Sequence, residues 1–311
     1  MTEACQGMIM YFCETPLHAG AGDSRSHIDL PIQRDYRDFP IINAGGVKGG
    51  FRERAEKKLG DGKRLDIFKA FGPPPPKKKK KDDDPTPDQH GGALDISDAE
   101  ILLFPVRSYQ GLFAWITCPE IISDFCRRLD VLGFKPFETD IDAPEDTALV
   151  SAANINRIKR EGQPDKIILE DIAFEAENEE RGIIKHLAAY ASAMLPSQSS
   201  YNHLRKTLEN RIVILADDVF RDFAILSTEV TTRICIGEAG TVVEGPWSEE
   251  YLPLNTFLFG SIRAEQSEPI KTFTNSLGTD AVIQMGGNKT IGKGHVRVAY
   301  YPAPPDSARK E

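Results

Sequence analysis

Long hydrophobic runs are missing from this chain. No stretch approaches the roughly 18 consecutive apolar residues that cross a bilayer as a helix, so no membrane span is expected. Paired cysteines are missing as well: Cys5, Cys13, Cys118, Cys126 and Cys235 lie at irregular spacing with no CxxC among them. An odd, scattered set reads as free thiols in a reducing compartment. The six histidines form no HExxH and no Cys/His cluster, which argues against structural zinc and leaves a hard, carboxylate-bound ion such as Mg²⁺ as the metal to consider. No Walker motif is present, because residues 45 to 52 lack the Gly-Lys-Ser/Thr ending at the required spacing, and nucleotide hydrolysis is disfavoured. Met1 to Ser26 carry no basic start followed by an apolar stretch. A signal peptide is therefore not expected, and a cytoplasmic location is.

Apolar residues make up 40% of the chain, enough for a real core, and 311 residues suit one core fold with large insertions as well as two domains. The net charge of -9 argues against a generic nucleic-acid coat. An acidic protein can still hold RNA when its cations are concentrated in one groove, because binding follows the local field.

Residues 8 to 15, MIMYFCET, are apolar on both alternating faces, as in a covered central strand. A glycine-bearing loop follows from Pro16 to Ser26, and Ile28 to Arg34 reads as extended because Pro31 disfavours helix before it. From Ala44, Val47, Phe51, Ala55 and Leu59 recur at helical spacing, with Gly45, Gly46 and Gly49 at the entry. Residues 73 to 92, PPPPKKKKKDDDPTPDQHGG, have almost nothing to bury and read as a low-complexity, disordered loop. Leu102 to Val106 and Leu112 to Ile116 suggest two strands joined by a turn at 108 to 111. Residues 120 to 133 and 183 to 195 read as helices. Arg233 to Ile236 and Thr241 to Glu244 flank Gly-Glu-Ala-Gly and signal a polar, projecting hairpin. The glycine-rich segment QMGGNKTIGKG, 284 to 294, leads into a last strand.

Three features bear on chemistry. The glycine-entered helix would aim exposed amides at an anion, with Lys48 and Arg52 one turn apart on one face; the plainer reading is a solvated cationic face. A second loop, with Gly286, Gly287, Lys289 and Lys293, makes a groove tracking a phosphate backbone the better reading. Asp29 lies in an Ile-Asp-Leu-Pro-Ile-Gln-Arg run that Arg34 closes. An ordinary aspartate, with pKa near 3.9, is a poor general base at neutral pH, and holding Mg²⁺ against a scissile phosphate suits it better. His18 is a candidate acid or base, or else a loop anchor. Glu229 is a candidate second carboxylate, or else a surface or cap residue. Trp247 and Tyr251 suit base stacking or core packing.

The blocks TPLHAGAGDS, IDLPIQR, GGVKGGFR, SDAEILLFPVRSYQGLFAWITCP, TEV…EEYLP and QMGGNKTIGKG follow one another along most of the chain. In this they closely resemble the backbone (fourth Cmr) subunits of type III-B CRISPR effector complexes, of the RAMP superfamily. The resemblance implies one RAMP domain over 1–311: an α+β, ferredoxin-like (RRM-like) core with insertions and a projecting β-hairpin thumb, placed at 231–247. It implies a filament of copies along a CRISPR guide RNA, beside other Cmr-type subunits. In that filament complementary target RNA is cut at regular intervals in a reaction dependent on Mg²⁺ or another divalent cation. Carried over by motif, Asp29 is the catalytic and metal-holding aspartate. His18 and Glu229 stand with it as candidate catalytic groups. Lys48, Arg52, Arg34, Gly45, Gly46, Gly49, Gly286, Gly287, Lys289 and Lys293 are the expected RNA contacts. The rival readings are a guide-binding scaffold that does not cut, a metal-independent guide-RNA maturase using His18, and an unrelated α+β binding protein.

Overall fold

The structure, a computed structural model, describes residues 5–22, 27–73, 91–278 and 281–304. The low-complexity loop read at 73–92 lies, from 74 to 90, outside the described residues, as do Asp23 to Ser26 of the first glycine-bearing loop.

The chain is mixed α+β. In order, the strands and helices are β1 (Gln6–Cys13), β2 (Ile41–Ile42), α1 (Ala44–Leu59), α2 (Arg64–Phe71), β3 (Asp95–Ile96), β4 (Ala99–Ser108), β5 (Leu112–Thr117) and α3 (Pro119–Val131). They continue with β6 (Thr147–Val150), β7 (Lys166–Leu169), β8 (Ile172–Asn178), α4 (Ile183–Met194), α5 (Asn202–Leu208), β9 (Ile212–Ile214) and α6 (Asp217–Leu226). The last are β10 (Glu229–Ile236), β11 (Val242–Tyr251), β12 (Phe257–Arg263), α7 (Ser267–Leu277), β13 (Ala281–Gln284) and β14 (His295–Pro302).

Among the described residues, twelve strands form one sheet, in the order β13-β14-β1-β12-β4-β5-β9-β6-β8-β7, with β2 on β4 and β3 on β12. β7 returns to β4 at Ser108 and Leu169, so β4, β5, β9, β6, β8 and β7 close a ring. β1 is central to the other half, antiparallel to β12 on one edge and to β14 on the other.

The double-faced apolar pattern of β1 is explained by what covers it. Tyr11 faces α1, where its ring lies 6.2 Å from Phe51, and Phe51 meets Phe273 of α7 edge-on at 5.0 Å. Phe12 packs on Phe257 at 4.7 Å on the other face, where Phe259 meets Phe125 of α3 and Phe125 meets Tyr190 of α4. Helices thus cover both faces, and a strand in that position carries no polar alternation.

β10 and β11 form a separate two-stranded sheet. Most of this hairpin is exposed up to Pro246, and only Glu249, Glu250 and Tyr251 of β11 are buried. A hairpin with so little to bury stands out from the core and is held at its root.

Candidate functional site

The root of the hairpin is where the segments singled out in the sequence meet. The loop after β1 pairs with it through reciprocal amide-to-carbonyl bonds between Leu17 and Leu252, 2.9 Å each. The loop of residues 285–294 docks on the same post-β1 loop: Gly294 donates to the Pro16 carbonyl and Gly287 to the His18 carbonyl, both at 2.9 Å. The extended segment 28–34 runs alongside β11, with the Leu30 amide donating to the Ser248 carbonyl and the Glu250 amide to the Leu30 carbonyl, both at 3.0 Å.

Asp29 is exposed, and its carboxylate is fixed by one residue. Oδ2 accepts from the Ser248 amide at 2.7 Å and from the Ser248 hydroxyl at 2.8 Å, while the Asp29 amide donates back to that hydroxyl oxygen at 2.9 Å. The Ser248 amide, and then its hydroxyl, hold the carboxyl below the usual carboxylate range. Asp29 is therefore ionised at neutral pH and is a weak base. Oδ1 has no hydrogen-bond partner among the described residues and is free to meet an ion or a hydroxyl.

On the opposite face of β11 lies a second carboxylate, Glu249, 4% exposed. It accepts from Arg233 at 2.9 Å, from the Trp247 indole at 3.0 Å, from Asn288 at 2.8 Å and from the Tyr251 hydroxyl. Burial alone would push this carboxyl up, but the bonds from Tyr251, Trp247 and Arg233 outweigh it and hold it at about 2. Burial and the ionised Glu249 push the Tyr251 phenol to about 12. Lys293 stands over the Tyr251 ring at 4.7 Å, and the His18 ring lies 5.6 Å from it. Trp247 and Tyr251 are thus both pinned at the root of the hairpin.

His18 donates from Nδ1 to the Glu250 carbonyl at 2.7 Å, which places the proton on Nδ1. It is half-buried, and the loop-anchoring role is the one its contacts fill. Gly286, at φ +68°, lies so close that a Cβ there would fall on the His18 carbonyl, and a Cβ on Gly287 would come 3.4 Å from the His18 ring. These two glycines serve close approach of the two loops.

Several of the other candidates already have partners within the chain. The α1 entry is not an open amide cradle: Ala44 donates to Asp98 Oδ1 at 2.6 Å, and Gly46 and Val47 donate to the Asn43 carbonyl. Gly45, Gly46 and Gly49 remain exposed, so a backbone can approach them, but a carboxylate already caps the helix. Arg52 pairs with Glu56 at 3.0 Å, donates to the Pro73 carbonyl and rests on Phe68. Lys48 reaches the Leu94 carbonyl at 3.3 Å. Arg34 pairs with the buried Glu250 at 2.6 Å and donates to the Asp38 and Ala224 carbonyls. Glu229 pairs with Tyr251 across the hairpin, whereas Thr232 pairs with Ser248. Alternation puts Glu229 and Ser248 on opposite faces, so Glu229 is not brought to Asp29.

The two Gly-Lys segments do converge. A Cβ on the buried Gly50 of α1 would lie 3.1 Å from the Gln284 carbonyl, and Lys289 pairs with Glu53 of α1 at 3.3 Å. Sequence reasoning missed Ser248, Glu249, Glu250 and Asn288. The signal was the run Ser-Glu-Glu-Tyr at 248–251, since two adjacent carboxylates on a strand must face opposite ways.

The geometry thus brings the post-β1 loop, segment 28–34, the hairpin root and the 285–294 loop together. The RAMP superfamily pattern matches residues 13–297. The Cmr endoribonuclease Cmr4 of the CRISPR system of Pyrococcus furiosus is 35% identical over 91% of this chain and 92% of its own length. The CMR subunit Cmr4 of Saccharolobus solfataricus is 28% identical over 92% of this chain and 93% of its own. The crystal structure of oligomeric Cmr4 from Pyrococcus furiosus superposes with a TM-score of 0.73 at 28% identity, covering 97% of this chain and all of that one. A match that runs from the end of β1 into β14, and so takes in both glycine-bearing loops and the hairpin between them, makes this chain a member of the RAMP superfamily.

Proposed function

We propose that this chain is the backbone subunit of a type III-B CRISPR effector complex, binding guide RNA as a filament of copies and cutting complementary target RNA at regular intervals. Its partners are guide RNA, target RNA, further copies of itself and other Cmr-type subunits. The supporting observation is the exposed, ionised Asp29 carboxylate, fixed by Ser248 at the root of the hairpin. The endoribonuclease relative adds to it.

The order β14-β1-β12-β4 supports a ferredoxin-like core, with α1 following β1 and α7 following β12. On that reading the stretch between β4 and β12 is the large insertion, and the exposed hairpin β10–β11 within it is the thumb.

RNA brings its own nucleophile, the 2′-hydroxyl beside the scissile phosphate. Asp29 is too acidic to take that proton well, so its part is to orient the hydroxyl or to hold a cation. Among the described residues no three His, Cys, Asp or Glu side chains stand together as a metal site. A single carboxylate with one free oxygen still fits Mg²⁺ or a similar ion, which keeps several waters and takes one or two carboxylates with substrate phosphates. Such an ion would stabilise charge on the attacking and leaving oxygens. With Nδ1 of His18 engaged, only Nε2 remains for proton transfer.

The test is a complex assembled on guide RNA, given labelled complementary RNA and Mg²⁺, with Asp29→Ala and EDTA lanes beside the wild type. Evenly spaced products, absent from both lanes while RNA binding persists, are the expected result. An unchanged ladder in Asp29→Ala moves the chemistry elsewhere. No ladder from the wild type leaves a guide-binding scaffold.

A further inference from the structure

We propose that Ser248 is a positioning residue that fixes the Asp29 carboxylate for the cleavage step and ties it to the root of the hairpin. The proposal rests on the nuclease reading above.

An exposed aspartate has two free side-chain torsions and, unpartnered, samples several rotamers. Here three bonds between one pair of residues, 219 positions apart, remove that freedom. The serine amide and hydroxyl both grip Oδ2, which leaves Oδ1 as the oxygen turned to solvent. Charge-assisted bonds of this kind are the strong ones, and they favour the ionised form.

Ser248 is itself held on both sides. Its neighbour Glu249 is locked to Arg233, Trp247 and Asn288. Glu250 accepts from the Ile32 amide at 2.9 Å, from Thr228 at 2.8 Å and from Arg34. Segment 28–34 is therefore fastened to β11 by Glu250 and by the main-chain bonds of Leu30, without the serine hydroxyl. The hydroxyl bonds Asp29 alone, and a hydrogen bond at an exposed site adds little to stability. What it does add is the orientation of one carboxylate, and that matters only if the carboxylate has a job. The arrangement also makes the donor part of β11, so whatever moves the hairpin root moves the grip on Asp29.

The experiment compares wild type, Ser248→Ala, Ser248→Thr and Asp29→Ala in the complex assembled on guide RNA. Cleavage of labelled complementary RNA is followed at neutral pH over a range of target concentrations, and RNA binding and the thermal midpoint are measured alongside. Ser248→Ala is expected to bind RNA normally, to keep the wild-type thermal midpoint, and to cleave about tenfold more slowly through a lower kcat with KM unchanged. Ser248→Thr, which keeps a hydroxyl, should restore the rate. A dead Asp29→Ala beside a fully active Ser248→Ala overturns this proposal alone. An Asp29→Ala that cleaves like the wild type overturns the nuclease reading of Asp29 and this proposal with it.

Discussion

Glu249 shows how much a single buried carboxylate can carry. Its folded-state pKa of about 2 lies below its ordinary value of 4.5. The stabilisation is fully present above pH 4.5 and is lost as pH falls toward 2, and it amounts to something on the order of 3 kcal/mol. Glu249→Gln should lose that acid dependence and be less stable by about 2 to 4 kcal/mol at neutral pH, because Arg233 loses its charged partner. Urea unfolding at pH 7 and near pH 3 measures both. Gly286 is constrained differently: its backbone is left-handed, and a Cβ there would fall on the His18 carbonyl. Gly286→Ala should cost about 2 kcal/mol or more, read in the same titration, and should weaken RNA binding by displacing the loop.

At the scale of elements, the hairpin separates stability from function. Its exposed part, from Ile234 to Pro246, packs on nothing in the core among the described residues. Replacing those residues with a short glycine linker should leave the thermal midpoint within about 1 °C of the wild type, a change under about 1 kcal/mol. Binding of complementary RNA by the assembled complex, measured by gel shift, should fall. This hairpin was legible in the sequence because its turn residues are local. So were β1, α1, β4 with β5, and the helices at 119–131 and 183–194, which announce themselves by apolar periodicity. The two-residue strands β2 and β3 and the short β6 to β8 were not legible, because what makes them strands is a partner far along the chain. The same holds for the site. Asp29 stood out by its setting, but Ser248, which decides its state, is 219 residues away, and the Glu250 that occupies Arg34 is 216 away. Charge counted along the chain overstates the free cations, since the carboxylates that neutralise Arg34 and Lys289 are visible only in the fold.

For the whole molecule, a net charge of -9 sets how RNA can be held. Non-specific attraction is weak, so each seated cation should count. Lys48→Ala is expected to lower the slope of log affinity against log salt by roughly 0.7, the value for one phosphate contact on a single strand, without altering the spacing of cleavage products. Binding isotherms of the assembled complex at several salt concentrations provide the check.

The placement of β1 has a consequence for how the protein comes to be made. Its two edge partners are β12 and β14, so neither edge can be covered until translation has passed residue 257, and the second waits until it has passed 295. Through most of synthesis an apolar strand with two open edges must be kept from pairing with its neighbours on the polysome. Chains stalled before β14 should therefore be digested readily by protease and claimed by chaperones, whereas α3 and the ring strands beside it can already have closed.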